Sequence, residues 1–327
     1  MSFETDMIVD RRRIRRKLTF WRVIATLVAI VAIVAVALTL TPSGTGSLPG
    51  SREIARVNIN GLIRSDSDRV EALERLGKSS SAAAVIVRIN SPGGTTAGSE
   101  ELYDALTRLK AKKPLVVVVD GLCASGGYIT ALAADRIVAR QTSLVGSIGV
   151  LFQFPNFSEL MKTVGVKVEE VKSSPLKAAP NGFEPTSPEA RAALDSLVKD
   201  SYAWFRDLVQ TRRAMNGAQL DTVADGRVFT GRQALGLKLI DELGDEDTAV
   251  SWLVSEKKIP SGLPVRDFKL TPRFSDLTFL RAATTVVLDA VGLGSLARRL
   301  ERSGFAIAAD SMDLTGLLAL WQPSTAN

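Results

Sequence analysis

Leu115-Val-Val-Val-Val-Asp-Gly-Leu-Cys-Ala-Ser-Gly-Gly-Tyr128 is the stretch of this 327-residue chain that decides its fold. It opens with an apolar run that is too short for a helix and is bounded by Pro114 and Asp120, which predicts a strand buried in a parallel sheet. A turn of small residues follows, and the helix-forming run Tyr128–Ala134 comes next. Ser125 is therefore predicted to lie where a strand turns into a helix.

A serine at such a junction has two interpretations. Backbone N–H groups at a helix N-terminus are unpaired and carry a partial positive charge, so they can hold the oxyanion that forms when the serine attacks a carbonyl. Alternatively, Ser125 caps the helix, and Gly126 and Gly127 only allow a tight turn. This stretch alone leaves both interpretations open.

A second strand end favours the catalytic interpretation. Ala84–Ile89 reads as a strand and runs into Asn90-Ser-Pro-Gly-Gly94, where consecutive glycines expose backbone N–H groups without obstruction by a Cβ atom. The carboxyl ends of parallel strands meet at one edge of a sheet. A serine on one strand end and free amides on another therefore predict an acyl-transfer site.

The absence of histidine restricts the chemistry. With none in the chain, a Ser-His-Asp triad, Cys-His catalysis and histidine-based zinc sites are all excluded, and no metal or cofactor is expected. The base for Ser125 must then be a lysine, a carboxylate or a chain terminus, and lysine is favoured. The single cysteine, Cys123, excludes an intramolecular disulfide and is expected to pack as a small buried residue.

The N-terminal segment predicts a membrane anchor. Much of the net charge of +6 lies in residues 1–22, directly before the uncharged apolar run 23–40, which is just long enough to span a bilayer. Basic residues before a span stay cytoplasmic, so this charge indicates membrane topology and not nucleic-acid binding. Residues 41–51 read as a flexible linker. The rival interpretation is a signal peptide that is removed, with the cleavage site at Ala35–Ala37.

The globular part is predicted to be α/β. Strand and helix patterns alternate from residue 52 to 258, which favours a mainly parallel sheet with right-handed crossovers. Within it, Val166–Lys172 alternates like an edge strand. Residues 259–327 read as a C-terminal helical extension that ends in the apolar run Leu314–Trp321.

Four motifs in this order resemble the signal peptide peptidase A (SppA) family. They are Asn90–Gly94, Ala124–Tyr128, Gly146-Ser-Ile-Gly149 and Asp225-Gly-Arg-Val228. The resemblance covers residues 52–258. It implies a fold related to Clp protease and crotonase, a Ser–Lys catalytic dyad, and a half-length member that assembles into a ring with the dyad shared across a subunit boundary.

The resemblance also implies roles for individual residues. Ser125 is the expected nucleophile and Lys177 the general base, Ser147 would hydrogen-bond the lysine amine, and the oxyanion hole would come from Gly126 with Gly93 or Gly94. Charge patterning supports Lys177 independently, because Lys167 and Lys172 lie beside Glu169 and Glu170 and Lys162 falls on a predicted helix. An amine removed from water and from carboxylates loses its proton more easily than one beside them.

The function that the resemblance implies, together with the predicted anchor, is a single-pass serine endopeptidase of the bacterial inner membrane. Its N-terminus would be cytoplasmic and its catalytic domain periplasmic, and its substrates would be cleaved signal peptides. The alternatives are a related Ser–Lys peptidase that cuts a membrane protein partner, a crotonase-like acyl-CoA enzyme, and an inactive scaffold of the same fold.

Overall fold

The computed structural model describes residues 17, 20–22, 52–270 and 316–321. The chain divides into two units, residues 1–51 and 52–327. In the first unit the described residues are helical, and the rings of Phe20 and Trp21 meet edge to face at 6.3 Å. None of the helices in the described ranges is long and apolar enough to cross a membrane. The predicted span 23–40 and linker 41–51 lie outside the described residues.

The second unit alternates strands and helices along the chain. Its strands are β1 (Glu53–Ile63), β2 (Ala82–Thr95), β3 (Leu115–Ala124), β4 (Arg136–Ala139), β5 (Leu144–Gly146), β6 (Leu151–Gln153), β7 (Val228–Thr230), β8 (Glu242–Leu243), β9 (Val265–Asp267) and β10 (Gly316–Leu320). Its helices are α1 (Ser67–Lys78), α2 (Thr96–Lys110), α3 (Gly126–Ala131), α4 (Ser158–Thr163), α5 (Pro188–Arg213), α6 (Gly217–Val223), α7 (Gly231–Gly236) and α8 (Glu246–Ser255).

The described strands form one mainly parallel sheet, as the alternation of strand and helix patterns predicts. Its central order is β6-β10-β2-β3-β4-β8, with β1 and β9 continuing from β2, and β5 and β7 continuing from β3. The parallel pairs are β1 with β2 and with β9, β3 with β2, β4 and β5, and β4 with β8. Only the pairs made by β7 and β10 are antiparallel in the described part.

Strand β3 is buried on both faces, which explains its continuous apolar run. Val117 and Val119 belong to a cluster that also holds side chains from α1, α2 and α5. Val116 and Val118 pack on the opposite face against Ala249 and Leu253 of α8. Full burial of a valine or leucine side chain stabilises a fold by about 1.5–3 kcal/mol. The strand that carries Ser125 is therefore rigidly held.

Three expectations about secondary structure need correction. β2 does not end at Ile89 but continues to Thr95, because Gly93 and Gly94 keep pairing with the end of β1. Residues 166–172 are not a strand, since no described strand pairs with them. The described parts of the 259–327 extension contain strands β9 and β10 and no helix, because β9 pairs with β1 and β10 pairs with both β2 and β6. Residues 271–315 of the predicted helical extension lie outside the described residues.

Candidate active site

Ser125 lies at the junction between β3 and α3, as predicted. It is 1% exposed and adopts φ 53° and ψ −117°, a backbone conformation that costs free energy in any residue but glycine. Its N–H donates to the Gly146 carbonyl at 2.8 Å, and its own carbonyl accepts from Tyr128 and Ile129 in the first turn of α3. Strain of this kind, held by surrounding hydrogen bonds, is common at functional sites.

Ser147 lies beside Ser125 on the neighbouring strand. β5 pairs with β3 in parallel, with Ala124 opposite Gly146, so the next residue on each strand is a serine. Ser147 is 7% exposed, has φ 51°, and makes no side-chain hydrogen bond within the described residues. Two buried serines with left-handed backbone therefore meet at one edge of the sheet.

The turn Asp225–Val228 holds Ser147 in place. The Asp225 carboxylate accepts from the Arg227 N–H at 3.2 Å and from its Nε at 2.6 Å, which fixes the turn. The Arg227 carbonyl then accepts from the Ser147 N–H at 2.8 Å. Gly146 also pairs with Val228 of β7. The sequence singles out this motif but assigns it no role, and the structure makes it the support of the second serine.

Three glycines converge where the backbone approaches Ser125. A Cβ added to Gly126 would lie 3.2 Å from the Gly94 N and 2.2 Å from Ser99 Oγ, and one added to Gly93 would lie 2.7 Å from the Gly126 N. Such distances leave no room for side chains. The amide nitrogens of Gly94 and Gly126 therefore border one small space beside Ser125.

Ser91, which sequence reasoning missed, distinguishes Gly93 from Gly94. The Gly93 N–H donates to Ser91 Oγ at 3.0 Å, and that hydroxyl donates in turn to the Gly61 carbonyl at 2.7 Å. The Gly93 N–H is thus occupied inside the loop. In the sequence, only the motif Ser91-Pro-Gly-Gly94 indicates this loop, and the motif does not predict the hydrogen bond between Gly93 and Ser91.

Other reactive groups near α3 are held inert. Burial raises the pKa of the Cys123 thiol, which keeps it protonated, and its Sγ contacts the Gly127 carbonyl at 3.3 Å. Burial also raises the pKa of Tyr128, whose hydroxyl donates to the Leu239 carbonyl at 2.7 Å. Within the described residues, Ser125 Oγ by contrast donates only one long hydrogen bond, of 3.4 Å, to the Gly149 carbonyl. The described residues contain no cluster of acidic and cysteine side chains that could hold a metal ion.

The lysines downstream of Ser125 differ in their partners. Lys172 forms ion pairs with Glu170 at 2.7 Å and Glu184 at 2.6 Å, and these hydrogen bonds raise its pKa. Lys162 pairs with Glu159. Lys177 makes no side-chain hydrogen bond or ion pair with a described residue, but it is exposed. The burial expected for Lys177 is therefore absent from the single chain, and no described contact brings it to Ser125.

Residues 151–187, which carry Lys177, form a segment that we call the arm. Apart from β6 and α4 it has no strand or helix, and it presents many apolar side chains to solvent. These are Leu151, Phe157, Leu160, Val164, Val166, Val168, Val171, Leu176 and Phe183. A monomeric soluble protein rarely exposes so many apolar residues together.

A strained, buried serine beside two convergent backbone amides, at the end of a strand in a mainly parallel sheet, suits a serine peptidase. The chain matches Clp protease over residues 59–144 and peptidase family S49 over residues 107–260. It is 36% identical over 203 residues to a provisionally named protease of Synechocystis sp., covering 62% of this chain and 73% of that one. The chain belongs to peptidase family S49.

Other relatives share a smaller part of their length. Protease 4 of Haemophilus influenzae is 32% identical over 61% of this chain, which spans only 34% of that protein. A provisionally named signal peptide peptidase SppA of Enterococcus faecium is 27% identical, with 64% of this chain and 65% of that one covered. A ClpP1 mutant structure from Listeria monocytogenes superimposes with a TM-score of 0.40 at 16% identity, over 59% of this chain and 92% of that one.

Proposed function

We propose that this protein is an endopeptidase with a Ser125–Lys177 dyad. The observation that carries the proposal is the register of β3 with β5, which sets Ser125 and Ser147 side by side next to the amides of Gly94 and Gly126. In this mechanism Lys177 takes the Ser125 proton, Ser125 attacks the peptide carbonyl, and the leaving amine receives the proton. Water activated by the same lysine then resolves the acyl-enzyme.

The oxyanion hole in this proposal is made by Gly94 and Gly126. The Gly93 N–H is already bonded to Ser91 Oγ, so Gly94 is the better donor on that strand. Ser147 Oγ, which has no described partner, is free to accept from the lysine ammonium and to orient it. The backbone bond from Ser147 to Arg227 would hold that hydroxyl in position.

We propose that Lys177 reaches Ser125 from a neighbouring subunit. Two features support this: the exposed Lys177 lacks a partner among the described residues, and the arm presents an apolar surface that a second copy would cover. In a closed ring, the apolar surface of every arm would be covered by a neighbouring subunit.

Mixing two inactive variants tests the shared dyad. Ser125→Ala and Lys177→Met chains should each be inactive, but rings assembled from equal amounts should recover roughly a quarter of native activity, since that fraction of sites pairs an intact serine with an intact neighbouring lysine. Peptide hydrolysis by co-expressed chains measures this. The control replaces Lys177→Met by the Ser125→Ala/Lys177→Met double variant, which supplies no serine. No recovery in stable mixed oligomers would place both residues in one chain.

The proposed substrates are signal peptides left in the bacterial inner membrane after precursor cleavage. The support is the similarity to proteins named SppA together with the basic segment 1–22 and the apolar run 23–40. A peptidase that cuts a membrane protein partner remains the second candidate, because the same anchor would serve it. Peptides trapped on Ser125→Ala protein and sequenced would separate the two.

The proposed topology is N-terminus in and catalytic domain out. In spheroplasts, externally added protease should degrade the chain beyond residue 51 and leave the N-terminal segment protected, because basic residues hold that end in the cytoplasm. Immunoblotting with a tag at each end measures this, and an intact cytoplasmic enzyme is the control. Complete protection of the chain, or a mature protein that begins near Leu38, would contradict a retained anchor in this orientation.

Labelling with a fluorophosphonate tests the proposed chemistry directly. Only a serine that acts as a nucleophile beside an oxyanion hole should react. A crotonase-like acyl-CoA enzyme that works through backbone amides alone, or a scaffold without activity, should stay unlabelled. Absence of label on folded, assembled protein would refute the peptidase.

A further inference from the structure

The edge of the sheet opposite Ser125, which the peptidase mechanism does not use, is strongly basic. We call it the amino edge and define it by the segments that lead into β1, β2, β3 and β4, which are residues 52, 78–81, 110–114 and 132–135. The parallel registers set the starts of these four strands side by side. The segments carry one carboxylate, that of Asp135, and five basic side chains, those of Arg52, Lys78, Lys110, Lys112 and Lys113.

Neighbouring carboxylates do not neutralise these cations. Asp135 forms an ion pair with Lys257, at 3.2 Å, and with none of the five. Lys113 donates to the carbonyls of Ser79 and Ala82, both at 2.7 Å. The other four basic side chains make no ion pair with a described residue. The amino edge therefore keeps an excess of positive charge.

The basic side chains of the amino edge also crowd one another. Burial and the nearby Arg212 lower the pKa of Lys110, and burial and the nearby Arg52 lower the pKa of Lys113. The helix dipole explains a cation such as Lys110 in the last turn of a helix. It does not explain Arg52, Lys112 and Lys113, which lie outside the helices. An anionic surface would relieve this repulsion.

The carboxyl edge, where Ser125 lies, has the opposite balance of charge. Near the starts of α1 and α2, four carboxylates lie in the sequence with two arginines, as Asp66, Asp68, Glu100 and Glu101 with Arg64 and Arg69. Charge is thus distributed unequally along the strand direction. Such an asymmetry orients a protein on an anionic surface with its basic side towards that surface.

The chain enters this unit at the amino edge. The linker 41–51 joins it at Arg52, directly before β1. A flexible linker of this length has a root-mean-square span of roughly 17–20 Å. A membrane span at residues 23–40 would therefore hold the amino edge close to the bilayer. The tether and the charge select the same edge.

We propose that the amino edge docks on the anionic lipid headgroups of the bilayer in which the chain is anchored, an inference that rests on the proposed anchor. Lys78 and Lys112 are exposed and lie at the contact, because basic side chains near an anionic bilayer are attracted to it. In a ring whose axis is normal to the bilayer, every subunit presents the same edge.

This orientation sets the distance between the site and the lipid. Ser125 follows the 10 residues of β3, and the start of β3 lies at the amino edge. At about 3.3 Å per residue, an upright strand places Ser125 roughly 30 Å from the headgroups. A substrate must then leave the bilayer before it reaches the serine.

Single cysteine labels beyond the two ends of α1 test the orientation. Cys123 is buried and burial raises its pKa, so it does not compete for a thiol-reactive dye. Ser67→Cys places the dye at the carboxyl edge and Ser80→Cys at the amino edge, and both serines are exposed. In full-length protein reconstituted in equal parts of phosphatidylcholine and phosphatidylglycerol, energy transfer to a headgroup dye should be several-fold more efficient from the Ser80→Cys label. This difference should decrease strongly in phosphatidylcholine alone and in ~1 M salt, where the Debye length is ~3 Å.

Charge reversal at the amino edge separates docking from tethering. Lys78→Glu/Lys112→Glu protein should lower the transfer from the Ser80→Cys label to the level seen in phosphatidylcholine alone. Arg140→Glu/Lys199→Glu protein is the control, because it makes the same change in charge after β4 and within α5, away from this edge. The control should keep the native difference between the two labels.

Flotation of the same samples with phosphatidylcholine vesicles in high salt reports separately on the anchor, and fluorophosphonate labelling reports on the peptidase. Protein left behind in flotation would overturn the proposed anchor and the docking that rests on it. Anchored protein with equal transfer from both labels would overturn docking on lipid in favour of another polyanionic partner. A difference that persists in high salt, or in Lys78→Glu/Lys112→Glu protein, would overturn the basic side chains as its cause.

Discussion

Ser125→Ala protein should hydrolyse peptides with kcat/KM lowered by about 10⁴-fold or more, since removal of a nucleophile leaves only the contribution of the oxyanion hole and binding. Fluorophosphonate labelling should disappear at the same time. The fold should persist, because the backbone bonds of Ser125 to Gly146, Tyr128 and Ile129 do not involve its hydroxyl. Relief of backbone strain at φ 53° is not expected, since alanine also has a Cβ atom.

Ser143→Ala is the matched control for a buried serine. The Ser143 hydroxyl donates to the Val119 and Asp120 carbonyls at 3.1 Å, so its loss should lower the free energy of unfolding by about 1–3 kcal/mol. Activity per folded molecule should remain. A Ser125→Ala enzyme that keeps more than a few per cent of native activity, with a Ser143→Ala enzyme equally affected, would show that Ser125 is structural and not catalytic.

Lys177→Met should reduce kcat/KM by a comparable factor, because the serine then has no general base and the chain contains no histidine to replace it. The free energy of unfolding of the isolated chain should change little, as Lys177 is exposed and makes no ion pair with a described residue. Steady-state kinetics and chemical denaturation measure the two quantities.

Lys172→Met provides the comparison for that experiment. Its ion pairs with Glu170 and Glu184 raise the pKa of Lys172 and keep it charged, so it cannot serve as the base. The change should leave activity within a few-fold of native. Full activity in Lys177→Met, or loss of activity in Lys172→Met with oligomers intact, would remove Lys177 from the dyad.

The positions of Ser125 and of the glycine amides beside it could be predicted from short stretches of sequence. The apolar run that begins at Leu115 predicts a buried strand, and the strand is indeed packed on both faces. The small residues after it predict the tight junction at Ser125. The glycines at 93 and 94 likewise mark close backbone approach, which the structure shows. These features depend on the conformation and burial of short segments, which the local sequence determines.

Relations between distant segments could not be predicted. That Ser147 stands beside Ser125 depends on the register of β5 against β3, and the glycines around Ser147 equally suit a bulged strand. Val166–Lys172 alternates like a strand, but no described strand pairs with it, so the strand predicted from its pattern is wrong. Within the predicted apolar run, Gly316–Leu320 forms a strand because it pairs with β2 and β6, which are distant in sequence.

The position of β10 affects how tightly any other peptide binds. β10 pairs with the backbone of both β2 and β6, so an extended peptide could add to these two strands only in molecules from which β10 has separated. The apparent dissociation constant equals the intrinsic constant divided by the fraction of molecules in that open state; an open fraction of about 1% would weaken apparent affinity about 100-fold. A tethered strand thus acts as an internal competitor whose concentration does not fall on dilution.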